Sequence, residues 1–269
     1  MFLAAAIQIS STTDVGRNLA TIEALVDRAA GYGAKFVATP ENSNFLGQAD
    51  EKVRLAESFD GPTCRRFADL AKRHGIHLLL GSFNERGTSP ERCRNTSVLF
   101  GPDGSRLAVY RKIHLFDVDH SEAVRAMESR TIESGDEHVV AETALGNFGL
   151  SVCYDLRFGD QYRRLVRMGA DVICVPAAFT ARTGRDHWSE LLRARAIECQ
   201  SFVIAPAQYG RHGEAELRES YGRAMIVDPW GVVLATAPDV AEGLALAEID
   251  LSRVAEIRRA IPVGKYAST

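Results

Sequence analysis

The chain has 269 residues, of which 46% are hydrophobic and 25% charged, enough to bury a sizeable core. Its 35 acidic and 32 basic residues leave a net charge of −3, so there is no electrostatic footprint for nucleic acid and no like-charge block to act as a binding tail. No run approaches the roughly 18 apolar residues of a membrane span, and residues 2–7, too short for a secretion signal and without a preceding basic residue, are expected to form a buried strand.

That first strand is expected over 3–9, ending in Ser10-Ser11-Thr12-Thr13-Asp14. Leu19, Ile22, Leu25, Val26 and Ala29 recur at helical spacing, with Gly31 and Gly33 as the stop. A strand over 35–39 runs into Pro40-Glu41-Asn42. Cys64, Phe67, Leu70 and Ala71 share one face of a helix over 63–74 that Gly75 caps. Strands follow over 76–83, 96–100 and 106–110, the last two flanking the turn Gly101-Pro102-Asp103-Gly104. Residues 117–136 read as a loop, and strands are expected over 137–143 and 149–153. The rhythm then repeats: helix 161–168, strand 171–176, helix 187–200, strand 202–207. Strands over 221–228 and 232–236 bracket Pro229-Trp230-Gly231, a strand over 244–249 follows, and 251–260 is a helix.

No linker or low-complexity tract divides the chain, so 1–269 is expected to form a single α/β domain. Two mixed sheets should pack face to face with helices outside, because strands such as 76–80 and 172–175 are apolar along their length. The five cysteines (Cys64, Cys93, Cys153, Cys174 and Cys199) are scattered, odd in number and without a C-x-x-C pair. Neither a disulfide framework nor a zinc site is expected, and a reducing cytosol fits best. No G-x-G-x-x-G or P-loop follows a strand, so no cofactor is expected either.

Three stretches deliver a reactive side chain at the end of an apolar strand: Glu41 in Thr39-Pro40-Glu41-Asn42, the pair Arg111-Lys112, and Cys153 in Val152-Cys153-Tyr154-Asp155. Alternation points Arg111 and Lys112 to opposite faces, so one of them turns inward. Each stretch alone also fits a bland reading: a solvated turn carboxylate, a solvated edge, a small core thiol.

Taken in the order Glu, Lys, Cys, the chain resembles the nitrilase superfamily of carbon–nitrogen hydrolases. The matching segments are Pro40-Glu41-Asn42, Tyr110-Arg111-Lys112-Ile113-His114-Leu115-Phe116 and Cys153-Tyr154-Asp155-Leu156-Arg157-Phe158. Further segments are similar to the Nit branch, its Nit1-like and omega-amidase-like proteins: Ala178-Phe179-Thr180, Thr183-Gly184, His187-Trp188, the run from Leu192 to Glu198, and Asp228-Pro229-Trp230-Gly231. Gly159-Asp160 stand where the family usually has Pro-Glu, and Asp186 where it often has Ala, which leaves the exact substrate open.

The resemblance implies a four-layer αββα sandwich, an amidase that forms a thioester on Cys153, and at least a homodimer. Glu41 is implied as general base, and Lys112 with a backbone N–H just after Cys153 as stabilisers of the oxyanion. Glu128 matches the family's second acid best, with Glu122 and Glu133 as rivals. Tyr154 is a supporting residue, and Arg157, Thr180, Arg182 and Thr183 are candidates to meet a substrate carboxylate. The implied substrate is a small amide such as deaminated glutathione or a related omega-amide. Other small amides, N-carbamoyl compounds, acyl transfer and a non-catalytic interaction module are the alternatives. His114 and Trp188 are expected to pack, Arg195 and Glu198 to form an ion pair, and Cys174 and Cys199 to be inert.

Overall fold

A computed structural model describes residues 1–121, 124–212 and 218–263. In chain order the elements are β1 (Phe2–Ile9), α1 (Val15–Gly31), β2 (Phe36–Ala38), α2 (Ala49–Arg54), α3 (Pro62–His74), β3 (His77–Arg86), β4 (Cys93–Phe100) and β5 (Arg106–Arg111). A short hairpin, β6 (Asp117–Ser121) and β7 (Val124–Met127), precedes a 3-10 turn at Glu128–Arg130 and β8 (Ile132–Glu133). Then come β9 (Val140–Thr143), β10 (Gly146–Leu150), a 3-10 turn at Cys153–Arg157, α4 (Gly159–Arg167), β11 (Val172–Cys174), α5 (Ala181–Cys199) and β12 (Phe202–Ala205). The remainder is β13 (Ala207–His212), β14 (Arg218–Tyr221), β15 (Met225–Val227), β16 (Val233–Thr236), β17 (Gly243–Ile249) and α6 (Leu251–Ala260).

One sheet runs β14-β13-β1-β2-β3-β4-β5, with β17 antiparallel on β1 and β8 parallel on β4; the other runs β16-β15-β12-β11-β10-β9. Period-two alternation in the first sheet serves two cores at once. Phe2, Ala4, Ala6, Phe36, Ala38, Leu79 and Leu99 face the second sheet. Their neighbours Ala5, Ile7, Val37, Leu78, Leu80, Val98 and Phe100 face Ile22, Val26, Phe67 and Leu70 of α1 and α3. Phe36 and Phe148 stack across the sandwich with centroids 4.3 Å apart. Trp188, Leu192 and Ala196 of α5 and Tyr162 and Leu165 of α4 are buried over the second sheet. The layers are therefore α, β, β, α, the expected sandwich.

Three local expectations are corrected, and one helix was not expected at all. The loop over 117–136 holds the β6–β7 hairpin, the turn at Glu128–Arg130 and β8. Helix α2 had no apolar periodicity to announce it, being six residues of ADEKVR. Helix α5 begins at Ala181, not 187, because Gly184 lets its first turn close on Tyr221, whose Cβ would lie 2.4 Å from an added Cβ. The strand over 221–228 is two strands in different sheets, since Gly222 and Arg223 both take left-handed φ (79° and 58°) and turn the chain from β14 into β15.

Candidate active site

Glu41 follows β2 at a corner that the neighbouring strand shapes. Thr39 N donates to Leu79 O (3.0 Å), and Thr39 Oγ1 accepts from Gly81 N (3.0 Å) and donates to Leu79 O (3.1 Å). β3 is irregular between Leu80 and Phe83, and there Gly81 lies so close that an added Cβ would meet Thr39 O at 1.9 Å. Beyond it, Ser82 Oγ accepts from Asn42 N (2.8 Å) and Gln208 Nε2 donates to Glu41 O (2.9 Å). Asn42 takes a left-handed φ of 56°, which Asn tolerates better than most residues. The backbone on both sides of the carboxylate is thus fixed.

Lys112 continues the β4–β5 ladder, its N–H donating to Asn95 O (3.0 Å). It is the inward member of its pair, 2% exposed, while Arg111 binds Glu85 through two hydrogen bonds (2.8 and 2.7 Å). Lys112 Nζ donates to Glu41 Oε1 (3.0 Å) and to Glu128 Oε2 and Oε1 (2.9 and 3.2 Å). Of the three candidate acids, Glu128 meets Lys112 and also accepts from Phe116 N (2.7 Å). Glu133 instead binds Thr88 and Arg94, and Glu122 lies outside the described residues.

Cys153 opens its 3-10 turn with a left-handed φ of 50°, a strained conformation for a residue with a Cβ. Its N–H donates to Pro176 O (2.8 Å), and its thiol hydrogen-bonds the Glu41 carboxylate. Burial alone would raise the Glu41 pKa, but the Lys112 charge, hydrogen bonds from Cys153 and Lys112 and the charge of Lys52 outweigh it and hold the group at about 2. Burial and the Glu41 charge push the Cys153 thiol well up, against the opposing pull of Lys112. Burial works against the Lys112 charge, yet Glu128, Glu41 and Cys153 raise its pKa well above the ordinary value. The resting site is therefore a thiol, a carboxylate and an ammonium. Burial also pushes Cys93 to about 11 and Cys64 and Cys199 to about 12, and raises Cys174.

Four further groups complete the site. Asn95 Nδ2 donates to Glu41 Oε1 (2.9 Å) and Ala178 N to Glu41 Oε2 (2.9 Å). Asp155, fully buried, joins the lysine and cysteine segments: its Oδ2 accepts from Tyr110 OH (2.7 Å) and Val152 N (2.8 Å), its Oδ1 from His114 N (3.0 Å). Lys52 Nζ donates to Asn42 Oδ1 (3.0 Å). Ala178 and Asp155 stand in segments that carried the resemblance, whereas nothing in the sequence marked Asn95 or Lys52.

A cavity of about 1040 Å³ opens onto these groups. Tyr154, Arg157, Thr180, Arg182 and Thr183 all line it, together with Glu41, Lys112, Glu128 and Cys153. The Arg157 guanidinium lies over the rings of Phe179 (5.1 Å) and Tyr154 (6.0 Å), and the hydroxyls of Thr180 and Thr183 share a hydrogen bond of 2.6 Å. Trp188 lies below this wall, buried and donating to Arg223 O (2.9 Å), and Arg195 pairs with Glu198 at 2.6 Å. His114 stacks on Phe158 and hydrogen-bonds Asp155, so it packs locally.

An oriented acid–base pair, a buried thiol and a fixed cation at one end of a large cavity suit acyl transfer from an amide to sulfur. The carbon-nitrogen hydrolase family model matches residues 3–259. A deaminated glutathione amidase from Synechocystis is 44% identical, the match covering 97% of this chain and 96% of the relative. The crystal structure of the C. elegans NitFhit protein is 37% identical with a TM-score of 0.92, covering 99% of this chain but 65% of that one. Saccharomyces cerevisiae Nit3, described as a member of branch 10 of the nitrilase superfamily, is 28% identical with a TM-score of 0.87, covering 98% and 96%. The chain belongs to the carbon–nitrogen hydrolase family. It is an amidase, and the resemblance to the Nit branch is borne out. No helix among the described residues is long and apolar enough to cross a membrane.

Proposed function

We propose that the protein hydrolyses deaminated glutathione, the 2-oxoglutaryl amide of Cys-Gly, through a thioester on Cys153. The observation that carries the chemistry is Lys112 held between Glu41 and Glu128, with the Cys153 thiol hydrogen-bonded to Glu41. An amide carbonyl is a weak electrophile and a thiol at neutral pH a weak nucleophile, so attack needs a base at the sulfur and a cation at the oxygen.

Glu41 takes the thiol proton as Sγ bonds the carbonyl carbon. The resulting oxyanion meets Lys112 and the Tyr154 N–H, the Cys153 N–H being already given to Pro176. The C–N bond then breaks, and Glu41 passes its proton to the departing nitrogen. Water attacks the thioester while giving a proton to Glu41, and the proton returns to sulfur as the acid leaves. Glu128 positions Lys112 throughout. Arg157 and Arg182, with Thr180 and Thr183, receive the carboxylate of the 2-oxoglutaryl half.

The 44% identity to the Synechocystis amidase supports the substrate. We extend the reading to a homo-oligomer in a reducing cytosol. Five free, buried cysteines support the compartment. Trp230, Val232 and Leu234, exposed by 52%, 50% and 42% beside the edge of the second sheet, support association, which light scattering would test. The test of function is kcat/KM for deaminated glutathione against α-ketoglutaramate and short neutral amides. Preference for deaminated glutathione is expected; preference for α-ketoglutaramate or for a neutral amide would remove the substrate while leaving the amidase.

A further inference from the structure

Lys52 is buried and lines the cavity with Glu41, whose carboxylate its charge helps to keep ionised, but it transfers no proton and meets no reacting atom in the steps above. The surrounding chain holds it firmly. Its Nζ donates to Asn42 Oδ1 at 3.0 Å, and Asn42 is itself set in a left-handed conformation by Ser82 Oγ on its N–H. Asn42 directly follows Glu41, and the Lys52 charge acts on the Glu41 carboxylate, so the ammonium lies on the base's side of the cavity. Glu41 is also the group that must protonate the departing nitrogen. The leaving half of a substrate therefore extends on that side, while Arg157 stands on the nucleophile's turn, against Phe179.

We infer that Lys52, positioned by Asn42, is a specificity residue that binds a carboxylate carried by the leaving amine. This rests on the substrate reading above and deepens it: the cavity sorts two carboxylates, the acyl half's to Arg157 and Arg182 and the leaving dipeptide's to Lys52. Glu51 and Glu219 also line the cavity, as does Arg211, and they bound the space in which the dipeptide end can lie.

The experiment compares kcat/KM for deaminated glutathione with that for its C-terminal carboxamide, which differs only in lacking the dipeptide's charge. The wild-type protein should favour the carboxylate by roughly tenfold or more. Lys52→Gln, which can still donate to Asn42 Oδ1 but carries no charge, should bring the ratio to within about twofold of unity, and Lys52→Arg should keep most of it. Because the readout is a ratio within one variant, a uniform loss of activity does not move it, and the Lys52→Arg ratio stands even if Lys52→Gln folds poorly. A wild-type ratio near unity, or a preference that survives Lys52→Gln, overturns the assignment. Failure of the wild-type protein to turn over deaminated glutathione, with α-ketoglutaramate hydrolysed, would instead overturn the substrate reading and the assignment with it.

Discussion

Each reactive side chain owes its state to the other two. Lys112 is buried between carboxylates, which holds it charged, and its charge in turn keeps Glu41 ionised. Lys112→Met removes the cation and leaves Glu41 and Glu128 facing each other without it. Turnover should fall by at least the ~10²–10³ that follows loss of one oxyanion donor. A raised KM with normal kcat would show that Lys112 serves binding alone. The same coupling sets the pH dependence. Glu41 is depressed from 4.5 to about 2, so its pairing stabilises the fold above the unfolded value and is lost only as pH falls towards 2. The thiol and the ammonium lose their protons far above neutrality. A profile of kcat/KM should therefore be flat from about pH 5 to about pH 8. An acid limb centred near an ordinary carboxylate value, or a bell centred at neutrality, would contradict this charge state.

At the scale of elements, the site depends on how closely β3 approaches the end of β2. Gly81→Ala would drive a methyl into Thr39 O and Pro40 O, and the displacement would pass to the next residue, Glu41. Activity should drop about tenfold or more, as a displacement of about 1 Å can cost a hundredfold, with a modest loss of melting temperature. Full activity in that variant would show that the corner gives way elsewhere. Much of this was legible in the sequence: strands delivering Glu41, Lys112 and Cys153 at their ends follow from apolar runs that stop at polar residues. Asn95 was not, because it reaches Glu41 from a neighbouring strand whose register no local pattern encodes; Ala178 and Asp155 stand in the matching segments, but the partners they reach across the chain were not legible either. The β6–β7 hairpin escaped notice for another reason. It is short, with no alternation to announce it, and among the described residues it is tied down by Ser129 N to Asp117 Oδ1 and by Phe116 N to Glu128.

Across the whole molecule, the two sheets meet through side chains that alternate strictly with those facing α1 and α3. That pattern made the sandwich legible, since strands covered on both faces read as continuous apolar runs. The crossing from β14 to β15 was hidden because two left-handed residues, one of them Arg223, redirect a chain that otherwise reads as one strand. Phe148 is the joint between the sheets, stacked on Phe36 and tilted at 6.3 Å from Phe2. Phe148→Ala should cost about 3–5 kcal/mol, read by denaturant unfolding, because the cavity it leaves lies between two sheets that cannot both move in. A loss below about 1 kcal/mol would mean that the sheets collapse onto the gap.

Passage of the amide's acyl group through Cys153 leaves a covalent trace. The direct measurement is peptide mass spectrometry of the protein quenched in acid during turnover of deaminated glutathione. A 2-oxoglutaryl group is expected on the peptide containing Cys153, on none of the other four cysteines, and no turnover is expected from a folded Cys153→Ala protein. Steady turnover with no adduct on Cys153, retained in Cys153→Ala, would contradict it.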